Sequence, residues 1–271
     1  DFKRIDPFLM SINSADNHWM YISSTGCLTA GRGQAKYALF PYITDDLLHQ
    51  NAHYTGPSTH ILVKQNNKKY LWQPFSDQIE SYKKEQNLYK NSLGNKIVFE
   101  EVNHSLGLTF LYSWQASSRY GFVKKTKLIN HSEVKVKVKL IDGLKNILPA
   151  GLELRTQQEL SNLANAYKVS ECNPDYNYAL YYMNALLMDK PDPGESLFSN
   201  MVWSFSEEKF ELSVNQKSIN TFLNNQCFTS DLLIKGKEGS FLNYIEKSLD
   251  QDHEMCWYIV ADVQKSQSDI V

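Results

Sequence analysis

The feature that most constrains the fold is a stretch in which apolar and charged residues alternate strictly. It runs from Val134 to Leu140, with valine or leucine at every second position and Lys135, Lys137 and Lys139 between them. Successive side chains of a β-strand point to opposite faces of the sheet, so this pattern gives one apolar and one solvated face. The stretch is therefore predicted to be a half-buried strand of an antiparallel sheet.

Neighbouring segments continue the β pattern. Residues from Phe122 to Asn130 form a second β-prone run, and the polar sequence Asn-His-Ser-Glu at 130–133 is typical of a hairpin loop between the two runs. Further runs recur about every 8 to 12 residues, which is the spacing found in sandwiches and barrels. We therefore predict a mainly β protein built as a large antiparallel sandwich.

The pattern leaves room for one or two short helices. Residues from Thr156 to Tyr167 carry apolar side chains at helical spacing, and Thr156 with Glu159 matches a capping box. The segments from Ser218 to Asn225 and from Ser240 to Leu249 are ambiguous between strand and helix. Two prolines and a glycine within residues 189–194 indicate a break in regular structure.

Length and charge exclude several classes of protein. A chain of 271 residues with 42% hydrophobic content can bury a core as one domain, so we expect a single domain over residues 1–271. The 28 basic and 30 acidic residues nearly cancel, which argues against a nucleic-acid partner. No run approaches the roughly 20 apolar residues that span a bilayer, so no membrane partner is expected either.

Cysteine and histidine spacing predicts neither disulfides nor a metal. The four cysteines are far apart in sequence, which favours free thiols. His49 and His53 would share one face of a helix, but no third ligand lies nearby. We therefore expect no cofactor and no metal, in a soluble protein of the cytoplasm rather than the periplasm.

The most informative polar cluster lies early in the chain and suggests sugar binding. It contains Arg32, Tyr42, Asp45 and Asp46. Carboxylates accept hydrogen bonds from sugar hydroxyls, a guanidinium donates them, and an aromatic ring stacks on the pyranose. These four residues are the predicted substrate-binding residues. In the alternative interpretation, one of the two aspartates only caps the helical turn that follows.

No catalytic residue is predicted. The sequence has no phosphate-binding loop, zinc-protease motif or nucleophile elbow. Glycoside hydrolysis usually needs two carboxylates flanking the scissile bond. The acidic candidates are Glu100, Glu101, Asp142 and Glu153, and their spacing does not pair any two of them.

Five segments resemble the N-terminal β-sandwich of cellobiose-phosphorylase-like proteins, which are glycoside phosphorylases and hydrolases and often bacterial. The segments are residues 17–24 (NHWMYISS), 28–32 (LTAGR), 37–46 (YALFPYITDD), 140–149 (LIDGLKNILP) and 161–168 (SNLANAYK). The resemblance implies a supersandwich of the galactose-mutarotase-like type. In such enzymes an (α/α)6 barrel follows the sandwich and carries the catalytic carboxylate.

The resemblance also sets the expected function and partners. It implies a non-catalytic carbohydrate-binding or structural sandwich, the N-terminal part of a longer enzyme whose barrel lies outside this chain. The expected partners are an oligosaccharide, joined by inorganic phosphate in the full enzyme, the enzyme's own C-terminal catalytic domain, and a second copy in a homodimer.

Two other interpretations remain open. A stand-alone mutarotase-like epimerase would need a histidine and a carboxylate on one concave face, for which His104 or His131 with Glu100 or Glu153 are candidates. The other is a structural or dimerisation domain without a ligand.

Overall fold

The computed structural model describes residues 2, 5–76, 82–185, 197–225 and 227–270, and the structural statements below concern these residues. The strands are β1 (Leu9–Ser11), β2 (His18–Ser23), β3 (Leu28–Arg32), β4 (Gly56–Gln65), β5 (Lys68–Trp72), β6 (Lys84–Lys90), β7 (Lys96–Asn103), β8 (Leu108–Ser117), β9 (Gly121–Asn130), β10 (Val136–Ile147), β11 (Lys168–Asn173), β12 (Tyr178–Met183), β13 (Phe198–Ser206), β14 (Glu211–Ser213), β15 (Leu233–Lys235), β16 (Gly239–Leu249) and β17 (Glu254–Ser266). The helices are α1 (Asp45–Leu48), α2 (Leu154–Glu159), α3 (Ser161–Tyr167), α4 (Lys217–Asn225) and α5 (Gln267–Ile270).

These strands form three antiparallel sheets. A nine-stranded sheet has the order β15-β11-β12-β13-β17-β9-β8-β7-β6, and a five-stranded sheet has the order β14-β16-β10-β4-β5. The two face each other across the main core, and a three-stranded sheet, β1-β2-β3, packs against the same core. The predicted mainly β antiparallel sandwich is confirmed.

Strand β10 contains the alternating stretch. Val136, Val138 and Leu140 are fully buried, while Lys139 faces outward and pairs with Glu246 at 3.2 Å. The predicted half-buried strand is thus confirmed for residues 136–140, whereas Val134 precedes β10 and is 38% exposed, so the prediction that it lies on the buried face is wrong. Beyond residue 140 both faces of β10 are buried, because β10 is the central strand of its sheet and α4 packs on the outer face.

The predicted hairpin between the two runs is wrong. β9 pairs with β8 and β17, whereas β10 pairs with β4 and β16, so the two strands belong to opposite sheets. The segment between them crosses the end of the sandwich. The Asn130 side-chain amide stabilises this crossover by donating to the carbonyls of Val134, Leu249 and Asp250 at 3.0–3.2 Å.

The predicted single helix is divided into α2 and α3. Leu160 separates them with φ −127° and ψ 35°, which lies outside the helical region. Glu153, rather than Thr156, is the residue that precedes α2, so the predicted capping box does not form. The ambiguous segment near residue 218 is helix α4. The predicted break at residues 189–194 lies outside the described residues.

The hairpin of β2 and β3 presents two different faces. Met20, Ile22 and Leu28 point into the core. The backbone of Leu39 then joins β3 to the end of β10, because its N–H donates to the Ala30 carbonyl and its carbonyl accepts from Leu148. The opposite face of the hairpin is left partly open. In the described part of the chain, no helix combines the length and the apolar composition that crossing a bilayer requires.

Candidate functional site

A pocket of about 470 Å³ lies on the open face of the three-stranded sheet. We call it the aromatic pocket, because Trp19 and Tyr21 from β2 meet Tyr42 there. Its lining residues are Leu9, Trp19, Tyr21, Thr29, Ala35, Tyr42, Ile43 and Leu48. Tyr21 and Tyr42 are 43% and 39% exposed, so large parts of both rings are accessible to a ligand.

Strand register places the side chains of this pocket. Tyr21 is opposite Thr29, and Trp19 is opposite Gly31, so these positions share one face of the hairpin. A Cβ atom at Gly31 would overlap Cζ2 of Trp19. The indole therefore lies close over the β3 backbone, which only glycine allows at this position.

The pocket also contains a buried hydroxyl group. Thr29 is 2% exposed, and its Oγ1 has no hydrogen-bond partner among the described residues. A buried polar group without a partner costs free energy, and a ligand hydroxyl reaching it would remove that cost. Flat apolar rings beside hydrogen-bonding groups are the combination that sugar rings require.

The structure separates Arg32 from Tyr42, two of the four predicted binding residues. Tyr42 lines the aromatic pocket, whereas Arg32 lies on the opposite face of β3 from Thr29. The Arg32 guanidinium lies 3.4 Å from the Asp262 carboxylate. Asp45 and Asp46 begin α1, three and two residues before the pocket residue Leu48, but their side chains lie outside the described part of the structure.

Arg32 belongs to a charged cluster around the buried carboxylate of Asp262. Asp262 is fully buried and also pairs with Lys265 at 2.5 Å. His18 lies beside this group with its ring edge on Phe122, and burial followed by the Arg32 charge lowers its pKa. The His18 Nε2 atom has no partner among the described residues. Because His18 and Asp262 are both buried, the cluster ties β3 to β17 rather than opening to a ligand.

A second, larger space of about 650 Å³ lies beside β4, β10 and α4. We call it the polar cavity. It is lined by Phe2, Ile5, Pro7, Ser24, Thr25, Gly26, Ala52, His53, Pro57, Ser58, Thr59, His60, Gln73, Pro74, Phe75, Ser76, Gln86, Tyr112, Lys145, Gln216, Ile219, Asn220 and Leu223. Most of its polar groups are hydroxyls and amides.

Burial shifts the pKa of three side chains in the polar cavity, raising that of Tyr112 and lowering those of Lys145 and His60. Burial lowers the pKa of Lys145 to about 8, and its Nζ donates to the carbonyls of His53 at 2.7 Å and Ala52 at 3.3 Å. Burial, with the Lys145 charge second, lowers the pKa of His60 to about 4. At neutral pH, His60 is therefore uncharged while Lys145 is mostly protonated.

Two of the acidic candidates have structural roles. Asp142 accepts hydrogen bonds from Lys124 at 2.7 and 2.8 Å and from the Trp257 indole at 2.7 Å. Glu101 accepts from the Trp72 indole and the Phe75 backbone, both at 2.7 Å. Both carboxylates are fully buried and saturated, so neither faces a substrate.

The candidate epimerase pairs do not meet in the described structure. His104 lies 3.7 Å from Glu85, and Glu100 accepts from Tyr89 at 3.0 Å on the outer face of the nine-stranded sheet. The exposed His131 lies in the crossover after β9. In the part of the chain that the structure describes, no contact joins a histidine to a carboxylate in the pairs that the sequence suggested.

The described histidine, cysteine and acidic side chains were compared with the requirements of a metal site and of a disulfide. No group of three or more histidine, cysteine or acidic side chains is arranged for a metal among the described residues, and the His49 side chain lies outside them. All four cysteines are free. Cys27 is buried, Cys227 is exposed and the other two are intermediate, so the thiols are not all core residues.

Sequence reasoning missed most of both sites. Trp19 and Tyr21 are two apart on one strand, and that period of two could have shown that they share a face. Lys145 is the only charged residue between Gly143 and Pro149, which is the signal of a buried lysine. The approach of Tyr42 to β2 depends on the path of the chain after β3 and has no local signal.

Comparison with solved structures gives the fold. An aldose epimerase homologue of C. elegans aligns with a TM-score of 0.52 and 8% identity, over 96% of this chain and 100% of its own. A candidate aldose 1-epimerase of Escherichia coli aligns with a TM-score of 0.51 and 8% identity, over 95% and 99%. The chain thus has the galactose-mutarotase-like sandwich fold.

The chain also aligns with one part of a longer enzyme. A polysaccharide lyase aligns with 97% of this chain at a TM-score of 0.48 and 11% identity. The chain spans 33% of that lyase. No family model and no curated protein matches the sequence.

Proposed function

We propose that this chain is a carbohydrate-binding sandwich that takes a neutral saccharide in the aromatic pocket. The observation that carries the proposal is the meeting of Trp19, Tyr21 and Tyr42 around a pocket with an unpartnered hydroxyl, that of Thr29. Sugars present apolar C–H faces to aromatic rings and hydroxyls to polar groups. The volume of about 470 Å³ lies within the range of small-molecule sites.

The proposal assigns binding rather than bond cleavage to the described residues. Glycosidases and phosphorylases need an acid placed at the scissile bond. No carboxylate with a described side chain lines the aromatic pocket. The narrower assignment, to the sandwich of a cellobiose-phosphorylase-like enzyme whose catalytic carboxylate lies in an (α/α)6 barrel, rests on the five segments quoted above and stays a prediction. A role for Asp45 and Asp46 at the pocket rim is part of it.

Calorimetric titration of the chain with neutral gluco-oligosaccharides tests the proposal. We expect saturable binding by the wild type. Tyr21→Ala and Tyr42→Ala should each weaken the affinity about tenfold, because a lost ring contact removes about 1 kcal/mol or more of binding free energy. Both rings are exposed, so neither substitution should unfold the protein.

Tyr176→Ala is the matched control for these variants. Tyr176 is 76% exposed in the turn between β11 and β12 and does not line the pocket. Its removal should leave affinity unchanged. Equal affinity of wild type and Tyr42→Ala, or the absence of any saturable binding, would contradict the proposal.

An aldose 1-epimerase is the second candidate function. This candidate is favoured because the chain and two epimerase-type structures align over nearly their whole lengths. The alignment supports the candidate at the level of the fold. Ring opening needs a base and an acid at one sugar. His60 and Lys145, whose pKa values burial lowers, line one cavity, although the two ring nitrogens of His60 already contact Ser58 and Gln73.

Polarimetry separates this candidate from simple binding. An epimerase would accelerate the mutarotation of α-D-galactose or α-D-glucose above the spontaneous rate, and His60→Gln would remove the acceleration. A binding domain would leave the rate unchanged while still binding oligosaccharides in the titration above.

A further inference from the structure

The polar cavity differs from the aromatic pocket in charge. Its lining includes the Lys145 ammonium and the uncharged His60, and no aspartate or glutamate among the described residues lines it. The remaining polar side chains are hydroxyls and amides, which can donate hydrogen bonds. The electrostatic character of this space therefore favours a negatively charged ligand.

Lys145 is a buried cation that has no counter-ion among the described residues. It is 7% exposed, and the two acceptors of its Nζ are neutral backbone carbonyls. The group that raises its pKa is the Cys27 thiol, and no described carboxylate pairs with it. An ammonium has three N–H groups, so one remains for a ligand.

The other buried lysines are compensated differently. Among the described residues, Lys124 and Lys168 are the other two buried lysines. Lys124 forms a salt bridge with Asp142, and Lys168 feels the charge of Glu238. Burying an unpaired charge is costly, so Lys145 is the position where a bound anion would gain most.

Strand register places the polar groups around Lys145. In β4, Ser58 and His60 share the outer face of the five-stranded sheet with Lys145 of β10. Gln73 bonds to His60 at 2.9 Å, and α4 contributes the exposed Asn220 to the same lining. The cavity thus has fixed walls on the sheet side and an accessible wall on α4.

We propose that the polar cavity binds a small organic anion, whose carboxylate or phosphate group takes the free N–H of Lys145. The volume of about 650 Å³ is large enough for a sugar acid or a sugar phosphate. The lowered pKa of Lys145 reflects the same uncompensated burial. This site is separate from the aromatic pocket, so the inference goes beyond the proposed function.

Titration calorimetry of the full chain at pH 7 and constant ionic strength tests the inference, with inorganic phosphate, glucose 6-phosphate and D-glucuronate as probes. We expect saturable binding of at least one sugar anion and none of neutral glucose at this site. The relative affinities of phosphate, glucose 6-phosphate and glucuronate then show which anionic group the cavity prefers. Lys145→Met should weaken binding at least tenfold.

Matched variants keep the test decisive. Lys168→Met removes an equally buried lysine outside the cavity and should leave anion binding unchanged. Asn220→Asp adds a carboxylate to the lining from an exposed position on α4 and should weaken binding severalfold. Asn224→Asp, exposed on the same helix but outside the lining, should not.

Two results would overturn the inference. One is equal anion affinity in wild type and Lys145→Met. The other is no saturable binding of any anion probe up to about 50 mM, above the millimolar range of weak specific binding. Tyr42→Ala separates this inference from the proposed function, because it should weaken oligosaccharide binding and leave anion binding intact.

Discussion

At the scale of single residues, His60 shows how burial sets a protonation state. Burial is the largest cause of its low pKa, Lys145 lowers the pKa further and Asp142 raises it. The two ring nitrogens lie 3.1 Å from Ser58 Oγ and 2.9 Å from Gln73 Nε2. The folded protein therefore holds the ring neutral, with one nitrogen accepting from the Gln73 amide.

This environment predicts a pH-dependent stability. The pKa of His60 is about 4 in the folded protein and 6.5 in the unfolded chain. Between these values the unfolded chain binds more protons, so the free energy of unfolding falls as pH falls through this window. The loss amounts to about 3 kcal/mol at most. Urea denaturation from pH 7 to pH 4 should show this slope in wild type and a reduced slope in His60→Gln.

His131→Gln provides the comparison for this measurement. His131 is exposed in the crossover between β9 and β10, so its replacement should leave the wild-type slope unchanged. The same slope in wild type and His60→Gln would mean that other groups cause the acid sensitivity.

At the scale of elements, the hairpin of β2 and β3 builds the aromatic pocket, and Gly31 is its most restrictive position. A Cβ atom there would overlap Trp19 and lie 2.6 Å from the Tyr37 carbonyl oxygen. Gly31→Ala should therefore displace the indole and destabilise the protein by about 1–3 kcal/mol. Urea denaturation measures the destabilisation, and oligosaccharide titration should show weaker binding.

Gly33→Ala distinguishes pocket damage from general destabilisation. Gly33 has φ +69°, and a Cβ atom there would meet no atom within 4 Å. Alanine at this position should cost about 1–2 kcal/mol through its left-handed backbone. Saccharide affinity should stay at the wild-type value. Parallel losses of affinity in both glycine variants would contradict the role assigned to Gly31.

The local periodicity of the sequence predicted individual strands better than it predicted which strands pair with each other. The alternation in β10 depends only on which face is buried, so the strand could be predicted from the sequence. The choice of β4 and β16 as neighbours, instead of β9, depends on contacts between residues distant in the chain. The same limit applies to the site, where Tyr42 was predicted but its meeting with Trp19 was not. Arg32 has the chemistry of a sugar ligand, yet the fold pairs it with Asp262, 230 residues away.

At the scale of the whole molecule, a buried polar network joins the two large sheets. Asp142 of β10 accepts hydrogen bonds from Lys124 of β9 and Trp257 of β17, and Thr59 of β4 donates to it at 2.7 Å. Both members of the ion pair are fully buried. Sequence spacing gave no sign of this network, since its members, which include Thr126, are 16 to 115 residues from Asp142.

Removing one side of this ion pair should destabilise the entire sandwich. Asp142→Leu leaves the Lys124 ammonium buried without its partner, a change that costs about 3–5 kcal/mol in such sites. In the double variant Asp142→Leu/Lys124→Met the charge is gone, and the remaining cost is that of the unsatisfied Trp257 and Thr59 donors, about 1–3 kcal/mol each. Chemical denaturation should therefore rank the double variant as more stable than the single variant.

An exposed ion pair serves as the control for this stability ranking. Lys135 and Asp250 are 2.9 Å apart but 58% and 70% exposed, so Asp250→Asn should leave the denaturation midpoint nearly unchanged. If Asp142→Leu were equally harmless, the sheets would be held together by apolar packing alone. If the double variant were less stable than the single variant, the stability of the sandwich would depend on the hydrogen bonds that Lys124 and Asp142 make with their neighbours. The attraction between the two charges would then contribute less.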